Sequence, residues 1–123
     1  MKISTHVSIY SFPVSAITSI LNRITGTALT GMYIGGGFSK IGGYDIISFY
    51  ESLSKIQKTS VDLCLLFPSV YHTFGGIRHF IWDTYPKLLT NLKVAKSSYL
   101  LLGISFVSTG VLEYMDILSM LRI

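Results

Sequence analysis

Apolar residues cluster into three stretches along the chain, about Val14 to Phe38, Val61 to Trp82 and Ser97 to Leu118. Between them lie a polar loop from Ser39 to Ser60 and a basic loop from Asp83 to Lys96. Each stretch is long enough for a helix to cross a bilayer, which takes about 20 residues. None is free of charge. Arg23 lies in the first, Asp62 opens the second and Arg78 nears its end, and Glu113 and Asp116 close the third. The pattern predicts an all-α integral membrane protein, one domain over residues 1–123, with three transmembrane helices in a bundle. The loop from Ser39 to Ser60, with Tyr44, Phe49 and Tyr50, has room for an amphipathic segment.

At 100° per residue, Ser15, Ser19, Asn22, Arg23, Gly26, Thr30, Tyr33 and Gly37 share one side of the first helix. On the second, Leu65, Pro68, Ser69, His72, Gly75, Gly76, His79 and Asp83 share one side. Small and polar residues in lipid are expected to face other helices, where they can pack closely and find partners.

Composition strengthens the membrane reading. Half of the 123 residues are hydrophobic and only 13% are charged, where soluble domains carry about 25% charge. A soluble domain this small would need more charge to keep its large surface wetted. The single Cys64 cannot form an internal disulfide, which excludes a disulfide scaffold. The net charge of +4 is spread over ten basic residues scattered between apolar runs. That distribution fits topology signalling, and no nucleic-acid partner is expected. From Met1 to Asn22 there is neither an apolar core with a small-residue cleavage site nor an Arg-rich amphipathic presequence. No cleavable targeting segment is therefore expected, as in a bacterial plasma-membrane or organelle-encoded protein.

An intramembrane arginine costs about 2.5–3.5 kcal/mol at a helix centre on insertion scales. Arg23 and Arg78 can snorkel to a helix end or meet a ligand bearing carboxylates, such as the propionates of haem. His72 and His79 are seven residues apart on one helix face, with Gly75 and Gly76 between them. Two readings of His72 stand: a hydrogen-bonded packing residue, or an imidazole ligand of a haem iron with the glycines leaving room for a flat ring. Arg78 is then a candidate propionate partner. Both histidines project the same way, so they cannot grip opposite faces of one iron; a second ligand must come from a partner chain in a heteromeric bundle.

Ser19 and Arg23 are i, i+4 neighbours. They either cap the helix start or stabilise a carbonyl oxygen that becomes negative on reduction, as in a quinone. Gly35–Gly36–Gly37 lies inside an apolar span without the strand–turn–helix setting of a phosphate loop. No second cysteine supports a zinc or iron–sulfur site, and no carboxylate pair suits hydrolysis. Glu113 and Asp116 are expected to form a solvated helix end.

The run Tyr71-His72-Thr73-Phe74-Gly75-Gly76-Ile77-Arg78-His79-Phe80-Ile81-Trp82-Asp83 resembles the signature of the succinate dehydrogenase cytochrome b subunit, the large membrane anchor of complex II. His6-Val7-Ser8-Ile9-Tyr10, followed by Ser19-Ile20-Leu21-Asn22-Arg23-Ile24-Thr25-Gly26, resembles that family's other block. The resemblance implies an axial haem b ligand at His72, with the other histidine supplied by the small membrane anchor subunit. It places His79 and Arg23 near the propionates, and Ser19 and Arg23 in a ubiquinone site completed by the iron–sulfur subunit and the small anchor. Electrons would come from succinate oxidation in the flavoprotein subunit, so this chain would belong to the oxidoreductase without itself oxidising succinate. The implied location is the mitochondrial inner membrane or, alternatively, a bacterial cytoplasmic membrane.

The chain departs from the family pattern at three places. Asn22 stands where the family usually has histidine, Tyr85 replaces a small residue after Asp83, and Ser4-Thr5 replaces Ser-Pro before His6. With three spans, the side of the amino terminus and second loop carries Lys2, Arg23, Arg78, Lys87, Lys93 and Lys96, against Lys40, Lys55, Lys58 and Arg122 on the other. This excess places the amino terminus in the matrix or cytoplasm. A quinol:fumarate reductase anchor and a structural assembly subunit without haem or quinone are the alternatives.

Overall fold

A computed structural model describes residues 12–121 as helices joined by short turns. The His6–Tyr10 block, Ser4-Thr5, Lys2 and Arg122 lie outside the described residues. α1 runs Val14–Ile41, α2 Ile46–Ser52, α3 Lys55–Thr84 and α4 Asn91–Leu121. All are helical, as expected, and the short α2 is the segment anticipated in the first loop.

Local chemistry sets the boundaries. α1 ends at Gly42, and Gly43 turns the chain at φ +80°, a conformation only glycine adopts without strain. Asp45 then caps α2, its Oδ1 accepting from the amides of Ile47 at 3.2 Å and Ser48 at 3.1 Å. Ser54 and Gln57 form a capping box at the start of α3. Pro68 sits inside α3 without ending it. Pro86 opens a 3₁₀ turn, Pro86–Leu88, that leads to α4.

The three long helices pack on one another, α3 against both α1 and α4, and α1 also against α4. Their shared interior is polar. Thr18, Thr25, Arg78, Ser98, Ser105, Thr109 and Glu113 are buried, whereas Phe38, Ile56, Phe80, Phe106 and Val107 are exposed. Water would invert this distribution; hydrocarbon permits it, because lipid tails leave packing and hydrogen bonding to hold helices together. Hydroxyls that face outward bond their own helix: Thr27 to the Arg23 carbonyl at 3.0 Å, Thr30 to that of Gly26 at 2.9 Å and Thr73 to that of Ser69 at 2.7 Å.

Among the described residues, one helix is long and apolar enough to cross a membrane unaided, α4 over Asn91–Leu118. α1 and α3 have ample length, 28 and 30 residues, but interleave charge, glycine and hydroxyls with their apolar positions. The expectation of a solvated end at Glu113 is corrected. Glu113 is only 7% exposed, because it continues the line of Ser98, Leu101, Ser105 and Thr109 along the inward face of α4. Asp116, one turn further, is exposed.

Candidate functional site

The side chain of His72 crosses from α3 to α1. Its Nδ1 lies 3.1 Å from the Asn22 main-chain oxygen. A carbonyl only accepts, so Nδ1 carries the proton and Nε2 bears the lone pair. Nε2 has no hydrogen bond among the described residues. Gly26, one turn past Asn22, makes the approach possible: a Cβ there would lie 2.6 Å from His72 Cε1 and 3.1 Å from Nδ1. The imidazole thus rests on bare backbone, tautomer fixed, beside an open groove.

That groove, about 740 Å³, is lined by Asn22, Arg23, Gly26, Thr30 and His72. It gathers the first half of the polar stripe expected on α1. Further along, Tyr33 and Gly37 are exposed. Arg23 is exposed, and its guanidinium has no partner among the described residues. Ser19 is half-buried one turn earlier. His79, two turns beyond His72, is exposed with its ring edge-on to Trp82 at 5.5 Å.

Arg78 is placed elsewhere. It is 9% exposed, donates from Nη1 to Ser98 Oγ on α4 at 3.1 Å and lies 4.6 Å from the Trp82 ring. The structure does not bring it to the His72 groove. Ser98 also lies 3.0 Å from Thr18 Oγ1 on α1 and donates to the Val94 carbonyl at 2.9 Å. Tyr71 donates to the Thr18 carbonyl at 2.9 Å. Thr18, Tyr71, Arg78 and Ser98 therefore tie all three long helices together. Sequence reading had singled out only Arg78 of these four; for Ser98 the available signal was the helical spacing of seven and four residues that joins it to Ser105 and Thr109.

The glycines also divide their work differently from expectation. Gly75 is covered by the Asn22 side chain, while Gly76 has nothing within 4 Å. The pair does not form one open platform, and the glycine that makes room for His72 is Gly26. Asn22 Oδ1, pressed onto Gly75, is buried without a hydrogen-bond partner.

This donor arrangement suits a porphyrin iron. A metal-bound histidine characteristically donates its other nitrogen to a carbonyl or carboxylate, which fixes ring and tautomer. Among the described residues no group of three or more His, Cys, Asp or Glu can hold a bare ion. One imidazole suffices for haem, whose ring supplies four nitrogens and leaves axial positions to the protein.

Residues 1–112 match the family model described as succinate dehydrogenase/fumarate reductase transmembrane subunit. The chain belongs to this family. Among its relatives is the mitochondrial succinate dehydrogenase cytochrome b560 subunit of Dictyostelium discoideum, 29% identical over 120 residues, covering 92% of this chain and 61% of the relative. The succinate dehydrogenase cytochrome b560 subunit of Reclinomonas americana is 30% identical over 117 residues, covering 87% of this chain and 80% of the relative. The cytochrome b556 subunit of Rickettsia felis is 35% identical over 85 residues, covering 65% of this chain and 64% of the relative. The chain thus spans about three fifths of the Dictyostelium relative's length. The family is one of mitochondrial and bacterial membrane proteins, which agrees with the polar interior and apolar exterior of the bundle.

Proposed function

We propose that this chain is the cytochrome b membrane-anchor subunit of succinate dehydrogenase, spanning the mitochondrial inner membrane three times within a heteromeric helical bundle. The observation that carries this reading is the His72 imidazole, proton on Nδ1 and lone pair on Nε2, seated on Gly26 beside the Arg23 groove. In this reading His72 would hold haem b through Nε2, and the small anchor subunit would supply a second ligand. His79 lies about 10 Å further along α3, so it cannot ligate the same iron and is assigned, with Arg23, to the propionate edge. Arg78, already held by Ser98 and Trp82, is assigned to cohesion of the bundle. Haem, when bound, supplies a one-electron redox centre within the membrane.

Ser19 and Arg23 form this chain's half of the ubiquinone site. A quinone becomes a quinol by taking up two electrons and two protons, and negative charge develops on its carbonyl oxygens whenever electrons arrive first. A guanidinium with no partner among the described residues is free to meet that charge, and the Ser19 hydroxyl can donate beside it. The iron–sulfur subunit would deliver the electrons and the flavoprotein subunit would oxidise succinate. A quinol:fumarate reductase anchor remains the second reading, because the matched family covers both enzymes.

The test compares quinone reduction with succinate oxidation by an artificial acceptor in the assembled complex. Arg23→Leu is expected to lower the first by about 10²-fold, on the scale of losing one oxyanion donor, and to spare the second. Equal loss of both activities, or none, would contradict the assignment. A wild-type complex without b-type haem absorbance would instead point to a structural subunit.

A further inference from the structure

A second groove, about 470 Å³, opens between the end of α3 and the start of α4. Its two ends differ in chemistry. Lys93 and Lys96 stand at one end with Trp82, Arg78 follows one turn in, and Phe74, Ile77 and Ile104 line the other end. No described carboxylate lines it; Asp83, next to Trp82 in sequence, is exposed outside the lining. Three cations thus share one apolar trough without an anion.

Arg78 is the most demanding of the three. It is 9% exposed, its company is the neutral Ser98 hydroxyl and the neutral Trp82 ring, and its Nε is buried without a hydrogen-bond partner. A positive charge held so deep is stabilised by an anion nearby, because its surroundings screen poorly. Lys93 and Lys96 are exposed, and no ion pair engages them among the described residues. Three residues apart on one helix, their ammonium groups can close on a single phosphate.

Depth in the membrane decides what kind of anion fits. The apolar span of α4, Asn91–Leu118, has 28 residues and a length of about 42 Å, the thickness of a bilayer with its headgroups. Lys93 and Lys96, in its first two turns, therefore lie at headgroup level, where Trp82 is also at home. From Lys93 to Ile104 the trough descends about 16 Å, close to the hydrocarbon depth of one leaflet, about 15 Å. A basic rim above an apolar trough of that length is complementary to an anionic headgroup with a chain below it.

We propose that the groove between α3 and α4 binds a phospholipid of net negative charge, its single phosphate held by Lys93 and Lys96 and one acyl chain lying along Ile77, Leu100 and Ile104. Arg78 touches no part of the lipid; its charge favours the anion from a distance. An anionic lipid lowers the local surplus of positive charge, whereas a zwitterionic one leaves it unchanged, and this difference sets the selectivity. The lipid seat depends on the membrane location of the bundle and not on the haem and quinone assignments.

The test is native mass spectrometry of the intact detergent-purified complex. It is supplied with palmitoyl-oleoyl phosphatidylglycerol or, at the same concentration, with phosphatidylcholine of the same chains. The anionic lipid is expected to be retained roughly tenfold more strongly, the order set by two lysines near a charged headgroup. Lys93→Gln combined with Lys96→Gln should remove most of this preference. Lys55→Gln combined with Lys58→Gln, at the opposite end of the bundle, should leave it intact. Ile104→Trp fills the trough with every charge in place and should bring retention of the anionic lipid down to that of phosphatidylcholine. Glycerol 3-phosphate, a headgroup without chains, should not compete.

Equal retention of the two lipids would overturn the proposal. So would a preference that survives the exchange of Lys93 and Lys96, or one that falls as far with Lys55 and Lys58. Full retention in Ile104→Trp, or effective competition by glycerol 3-phosphate, would overturn the lipid as occupant. Should the Lys93 and Lys96 variant fail to assemble, Ile104→Trp decides alone.

Discussion

On the side of α3 that meets α4, Arg78 has a hydroxyl from Ser98 and the face of Trp82, and Ser98 in turn engages Thr18 of α1. On the side that meets the open groove, His72 has one nitrogen bonded and the other without a partner among the described residues, and Arg23 is equally unengaged. Both sides carry polar groups that hydrocarbon tolerates poorly. The first engages them largely from within the chain, leaving Arg78 Nε buried without a partner, and so reads as glue between helices. The second leaves them available, which is the condition for binding something else. Polarity in a membrane helix does not by itself mark function; a lone pair or a whole guanidinium left unengaged beside open space is the sharper criterion.

Four perturbations sharpen or break this contrast. The largest effect is expected from Gly26→Ala. The new Cβ would lie 2.6 Å from His72 Cε1, and the side chain can swing away more readily than the helices can part. Assembly should survive while most b-type haem absorbance is lost, as measured by pyridine haemochrome per complex. Arg23→Leu comes next, with the roughly 10²-fold selective loss of quinone reduction described above. On the closed side, Ser98→Ala should cost about 1–3 kcal/mol by stranding the Arg78 guanidinium. It should lower the thermal midpoint of the complex and leave haem content unchanged. Haem loss from Ser98→Ala at full stability would erase the distinction between the two sides.

The smallest effect lies outside the bundle interior, at Tyr50. The hydrogen bond it donates to Asp62 raises its pKa from 10.0 to about 12. The protonated phenol is favoured in the folded protein, so its contribution to stability is complete below pH 10 and lost as pH rises towards 12. Ultraviolet titration should show a late tyrosine that becomes ordinary in Asp62→Asn and disappears in Tyr50→Phe.

The long helices were legible in the sequence as apolar runs, whereas the boundaries at Gly42-Gly43, Asp45, Ser54 and Pro86 emerged from the structure. The inward faces were harder to read. The stripe expected on the second helix ran through Ser69, His72, Gly75, Gly76 and His79, and of these only Gly75 lies on the buried line of Tyr71, Gly75 and Arg78. Thr30 stood on a stripe expected to face other helices, but it bonds its own backbone and faces outward, as Thr27 and Thr73 do. Tyr71 looked like an ordinary apolar-run residue, and its hydrogen bond to Thr18 depends on a helix 53 residues away in sequence. His72 was recognisable from its neighbours, yet the Asn22 carbonyl and Gly26 that fix its ring belong to another helix. Glu113 was misread because its residue type suggests solvent, while its position on the α4 face decides its burial.

The most direct test is the dithionite-reduced minus oxidised optical spectrum of purified complexes carrying His72→Ala or Ser98→Ala. The b-type band should vanish in His72→Ala and persist at wild-type intensity per complex in Ser98→Ala. A full band in His72→Ala would show that the iron takes its ligand elsewhere, and would reduce the His72 groove to a packing feature.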